Sequence, residues 1–240
     1  MNKEQMLKEM GLGPIWKLRQ APKKKRGEAA VPVGAQLVDA RTAAIAAMGW
    51  EELKQAVAGC TACELCKTRK QAVVGVGDIN ADWLFVGEGP GAEEDERGEP
   101  FVGQSGKLLD AMLAAIDLKR GNNVYIANSV KCRPPDNRAP EPGETAACWP
   151  FLARQVELIK PKLIVTLGRP AAQTLLQQDV KISAARGRTQ DFAGIPLIIT
   201  YHPAYLLRNL PDKAKAWEDL CFMRRTMRQH APQFSAAKFK

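Results

Sequence analysis

Long apolar runs are missing from this 240-residue sequence; none approaches the 18 residues that a membrane-spanning helix needs, so no membrane association is expected. The opening MNKEQMLKEMG also lacks the apolar stretch and small-residue cleavage site of a secretory signal, and a cytoplasmic protein is expected. Histidine is scarce: the chain has 2, so imidazole chemistry must come from His202 or His230. The glycine and Lys-Ser/Thr order of a P-loop is absent, and Pro90 interrupts the one glycine-rich segment that imitates a dinucleotide fingerprint. No internal repeat is visible. Cysteine is sparse for a disulfide framework, with 6 in the chain. In a reducing compartment, those that matter are metal or cluster ligands or catalytic thiols.

What is present is an ordinary globular balance, 45% hydrophobic and 25% charged, enough for one generous core. Lys and Arg outnumber Asp and Glu 35 to 26, but the excess is concentrated at the two ends. Residues 1–35 hold 8 basic against 3 acidic side chains, residues 213–240 hold 7 against 2, and the body between is close to neutral. Basic ends on a neutral body suggest a polyanionic partner, since Lys and Arg contacts to phosphate supply the sequence-independent part of nucleic-acid affinity.

Residues 1–40, with APKKKRGEAAVPVGA at their end, read as a flexible basic arm and linker, residues 41–230 as the folded domain, and residues 231–240 as a tail. A helical stretch is predicted from about Thr42 to Ala58. Apolar runs at Trp83–Val86, Val124–Ala127, Leu163–Leu167 and Leu197–Thr200 then alternate with helix-length segments. That alternation predicts an α/β fold whose parallel sheet is covered on both faces. Leu108, Leu109, Met112, Leu113 and Ile116 share one helical face, as do Phe151, Leu152, Val156 and Ile159. Four prolines between Cys132 and Gly143 exclude a helix or central strand there, and Ala214–Arg228 reads as a basic helix.

Cys60, Cys63 and Cys66 form a C-x2-C-x2-C run, and Cys132 and Cys148 follow at a distance. Two thiolates on a tight turn reach one centre, and two later cysteines close a four-thiolate site. The spacing permits a 4Fe–4S cluster or a zinc ion and does not choose between them. Cys221, alone on a helix, reads as a core thiol.

Three polar signatures follow the expected strands: GEGPGAEEDERGEPFVG from Gly87, Asn128 at the end of the second, and HPAYLLR from His202. In an open parallel sheet the carboxyl ends of the strands share one edge, so these loops converge on one crevice. Solvated charge is the plain reading of most of Glu88, Glu93, Glu94, Asp95 and Glu96, yet a loop that faces the crevice brings some of them with it.

GEGPG with GEPFVG, VYIANSVKCRPP with NRAPEPGE, the late Cys148 and HPAYLLR together resemble the family 4 uracil-DNA glycosylases, the iron–sulfur branch of that superfamily. The resemblance spans about residues 56–228. It implies a three-layer α/β/α sandwich with a four-stranded parallel sheet, cleavage of the N-glycosidic bond of uracil in single- or double-stranded DNA, and a structural 4Fe–4S cluster. The family's ligand positions fall on Cys60, Cys63, Cys132 and Cys148, leaving Cys66 where other members tolerate a non-ligand.

A glycosylase must swing its nucleotide out of the stack at a cost of a few kcal/mol. The resemblance implies that Phe101 stacks on uracil and that Asn128 bonds the uracil edge, with Gly89 in the binding loop. It implies that His202 donates to the oxygen on which charge develops, and that Glu94, ranked above Glu88, orients water and helps exclude thymine's methyl. Leu206 stands where the superfamily inserts an apolar wedge, with Tyr205 or Leu207 as neighbours, and Arg208 is expected on phosphate.

Residues 5–20 of the arm, LKEMGLGPIWKLR at their centre, are similar to the N-terminal peptide of the clamp-loader psi subunit, which implies a contact with the loader. The plainer alternative is a basic tail that adds nonspecific DNA affinity. Two rival functions stay open from sequence: a catalytically silent nucleic-acid binding module and a zinc-stabilised nucleotide hydrolase.

Overall fold

The computed structural model describes residues 40–230. The expected arm, the tail and the candidate clamp-loader contact through residues 5–20 lie outside the described residues.

Four apolar segments make the centre of the sheet: β2 (Trp83–Gly87), β3 (Val124–Asn128), β4 (Leu163–Leu167) and β6 (Ile195–Thr200). Their β-branched and aromatic residues suit a pleated surface buried on both sides, and β2, β3 and β4 are buried throughout. All four run parallel, with Gly87 opposite Asn128 and Leu167 opposite Thr200. The expected four-stranded parallel sheet needs correction. Two short edge strands, β1 (Val76–Gly77) and β5 (Thr189–Phe192), pair antiparallel on its flanks and make a six-stranded mixed sheet in the order β1-β3-β2-β4-β6-β5. Neither carries an apolar run: β1 has 2 residues, and β5 alternates exposed and half-buried positions. The turn joining β5 to β6 is Ala193–Gly194, with φ of 52° and 82°, the two left-handed residues that match a tight hairpin to the twist of its strands.

The helices are α1 (Ala40–Ala47), α2 (Trp50–Ala58), α3 (Ala92–Arg97), α4 (Gln104–Ala114), α5 (Pro142–Ile159), α6 (Arg169–Leu176), α7 (Ile182–Ala185), α8 (Pro203–Arg208) and α9 (Asp212–His230). The single helix expected over Thr42–Ala58 is interrupted at Gly49, whose extended backbone starts α2 while its amide donates to Glu52 Oε2 at 2.9 Å. Cys148 lies within α5, opposite the Pro-rich loop.

Alternation along β2 sorts the core into two faces. Trp83 and Phe85 pack with Leu109, Leu113, Leu220 and Met223 of α4 and α9; Leu84 and Val86 pack with Leu152, Val156 and Leu175 of α5 and α6. The three-layer α/β/α arrangement follows. A third cluster joins Ile45, Leu53 and Val57 of α1 and α2 to Phe151, Cys132 and Cys148. No described helix is long and apolar enough to cross a membrane.

Candidate active site

The carboxyl ends of β2, β3 and β6 open on one cleft of about 830 Å³. Glu88, Gly89, Glu94, Phe101, Asn128, His202 and Arg208 all line it, so seven of the eight residues expected to act on substrate meet there. Leu206 does not. It is 1% exposed in the core, because positions 203 and 206 form the inward face of α8 and the next residue, Leu207, is 41% exposed. Leu206, the residue expected as a wedge, is turned into the core, and the apolar side chain that α8 offers to solvent is Leu207.

Close approach of backbone and side chains fixes the floor. A Cβ added to Gly87 would stand 2.4 Å from Asn128 Oδ1 and 2.6 Å from Phe101 Cζ, so only glycine at the end of β2 leaves room for both. Asn128 is 1% exposed, and its Oδ1 has no hydrogen-bond partner among the described residues. A buried amide oxygen left without a donor costs stability unless a bound group satisfies it. The Phe101 ring lies 5.5 Å from the His202 ring, tilted by 32°.

His202 is the N-cap of α8, and its Nδ1 accepts from the Ala204 amide at 3.1 Å. In a neutral imidazole the proton then sits on Nε2, which is free to donate. Burial first, then the Arg208 guanidinium, pushes its pKa down to about 4 against an opposing pull from Glu94. The segment carrying His202 is pinned from below. Thr200 Oγ1 donates to buried Asp219 at 2.7 Å, Arg186 bridges Asp219 and Glu218, and Tyr201 stacks on Tyr205, whose hydroxyl donates to Asp212.

The acidic loop divides by burial. Glu94 is 8% exposed and accepts from the amides of Gly91, Val102 and Gly103, at 3.1, 2.9 and 3.2 Å. It ties the start of α3 to the segment after Phe101. Asp95 accepts from the Lys70 amide and is also buried, while Glu93 and Glu96 face solvent. Glu88 is half-buried on the cleft, and burial raises its carboxyl above the usual range.

Cys60, Cys63, Cys132 and Cys148 line a second cavity together with Cys66, Arg69 and Lys131. Arg69 Nη1 donates to Cys132 Sγ at 2.9 Å and the Lys131 amide to Cys148 Sγ at 3.3 Å, donors suited to anionic sulfur. Among the described residues no three His, Cys, Asp or Glu side chains converge closely enough to hold a metal ion. Between the two cavities lies Lys131, 1% exposed, with Nζ donating to Asn128 O at 2.8 Å and Gln155 Oε1 at 2.6 Å. Sequence reasoning missed Gly87, Arg120, Lys131 and Gln155. Only Gly87 carried a signal, as the last residue of an apolar strand before a loop.

A doubly wound α/β domain with a ligand cleft at the carboxyl edge of its parallel strands is the class this geometry defines. The model of the uracil DNA glycosylase superfamily matches residues 74–221. Similar proteins include the type-4 uracil-DNA glycosylases of Thermotoga maritima, 47% identical over 69% of this chain and 86% of the relative, and of Archaeoglobus fulgidus, 44% identical over 65% and 82%. That of Pyrobaculum aerophilum is 41% identical over 72% of this chain and 92% of its own length. The chain belongs to the uracil DNA glycosylase superfamily, in its type-4 branch.

Proposed function

We propose that the protein is a DNA repair glycosylase that flips uracil out of DNA and hydrolyses its N-glycosidic bond, leaving an abasic site. The observation that carries this reading is the meeting of an aromatic ring, an unsatisfied buried amide oxygen and a neutral imidazole donor on one cleft, at Phe101, Asn128 and His202. Uracil's imide edge offers an N–H and a carbonyl oxygen, and the Asn128 amide has the matching acceptor and donor. Phe101 supplies a face for the pyrimidine, where stacking contributes about 1 to 3 kcal/mol per base and offsets part of the flipping cost.

As the C1′–N1 bond breaks, its electron pair leaves with uracil and the sugar becomes cationic. His202 Nε2–H donates to the uracil oxygen on which the charge gathers; loss of one such donor costs about 3 to 4 kcal/mol. Water adds to C1′ and gives up a proton. Glu88, on the cleft with its carboxyl less engaged, suits the water and the cationic sugar, while Glu94 holds the Phe101 loop in place through three amides. Gly89 gives the loop close backbone approach, Arg208 meets phosphate, and Leu207 fills the space the flipped base leaves.

A 4Fe–4S cluster on Cys60, Cys63, Cys132 and Cys148 is the cofactor of this reading, supported by the four thiols lining one cavity with Arg69 and Lys131 as donors to sulfur. Such a cluster would supply a structural staple, since hydrolysis moves no electrons. A silent binding module has no use for the His202 donor, so the enzyme reading is preferred. His202→Ala should cost about 1 kcal/mol of stability through the lost cap on α8 and lower single-turnover uracil release by about 10² to 10³. Release at the wild-type rate would remove His202 from the mechanism.

A further inference from the structure

Phe101 stands in a backbone conformation that phenylalanine seldom adopts, with φ of 55°. Its carbonyl is wedged under the first turn of α4: a Cβ added to Gly106 would fall 1.8 Å from Phe101 O. A distant side chain completes the clamp. Arg120, in the loop between α4 and β3, donates from Nη1 to Pro100 O and from Nη2 to Phe101 O, both at 2.7 Å, and from Nε to Asp110 Oδ1 at 3.0 Å. The guanidinium thus grips two consecutive carbonyls, and Asp110 of α4 anchors the guanidinium. Arg120 does not line the cleft and touches no group there except through Phe101.

We propose that Arg120 is a positioning residue for base recognition: its planar fork holds the Phe101 backbone in the left-handed region, so that the ring lies over Gly87 and beside His202 before any base arrives. This inference rests on the reading of Phe101 as the ring that packs on uracil. Without the fork, two buried carbonyls lose charge-assisted donors and the 100–101 segment relaxes toward commoner backbone angles, swinging the ring off the floor of the cleft. Lysine cannot replace it, because a single ammonium does not span two carbonyls and a carboxylate in one plane.

The test is a double-mutant cycle between Arg120→Ala and Phe101→Ala in the full-length holoenzyme, reading kcat/KM on a uracil-containing oligonucleotide and inhibition by free uracil. Each single variant should lower kcat/KM and weaken uracil inhibition by about tenfold or more, and the double variant should lose no more than Phe101→Ala alone. Arg120→Lys should behave like Arg120→Ala in both readouts, and it carries the cycle if the alanine variant does not fold. Additive losses, or a lowered melting temperature with uracil inhibition unchanged, would overturn the role of Arg120. No loss in Phe101→Ala itself would instead overturn the stacking assignment beneath it, and the proposal with it.

Discussion

His202 owes its protonation state to where it falls in the chain. As the N-cap of α8 it spends Nδ1 on the Ala204 amide, and burial beside Arg208 keeps the ring neutral. An unfolded chain would protonate this imidazole at the ordinary value of 6.5, whereas the folded protein does so at about 4. Between those values the unfolded state binds more protons. Stability therefore falls as pH drops through this window, and His202 adds no pH dependence above it. NMR titration of the imidazole should find His202 still neutral at a pH of about 5.5. A midpoint near the ordinary histidine value would contradict the donor assignment. Strand-end position drew attention to Asn128 and the scarcity of histidine to His202, while Phe101 and the three roles came from the family resemblance. None of these gave a hint of the Glu94 bonding pattern, since three amide donors from Gly91, Val102 and Gly103 arise only when the loop folds back on α3.

Helix phase is the lesson of α8. HPAYLLR carries two adjacent leucines, and the family resemblance marked Leu206, but a rotation of about 100° per residue sends it inward while Leu207 faces solvent. Leu206→Ala should cost about 2 to 5 kcal/mol of stability, measured by denaturant unfolding. Leu207→Ala should leave stability near wild type and slow uracil release from duplex more than from single-stranded DNA. Equal effects on the two substrates would remove the wedge role. The central strands were legible because each is a bounded apolar run. The edge strands were not: β1 is too short to show a period, and β5 earns its place by pairing with β6 through a hairpin whose turn residues, Ala193 and Gly194, are not a strong turn pair on paper.

Across the whole molecule, the two cavities are joined by one buried amine. Lys131 stands next to Cys132 in the chain, takes its amide to Cys148, and delivers its Nζ to the carbonyl of Asn128. The thiol cavity is therefore part of the scaffold that holds the Asn128 end of β3. Cysteine spacing in the sequence foreshadowed a shared site, but not its coupling to Asn128, which depends on α5 bringing Cys148 and Gln155 against the end of β3. Cys132→Ser should lose bound iron and lower the melting temperature by roughly 5 to 10 °C. An unchanged iron-to-protein ratio would contradict ligation by Cys132.

The most direct trial of the glycosylase account uses the purified full-length protein and an end-labelled oligonucleotide with one uracil, followed by alkali to cut at abasic sites. The account predicts a single cleavage at the uracil position, none in the thymine-containing control, and free uracil released in equal amount. An intact strand in both lanes would contradict it.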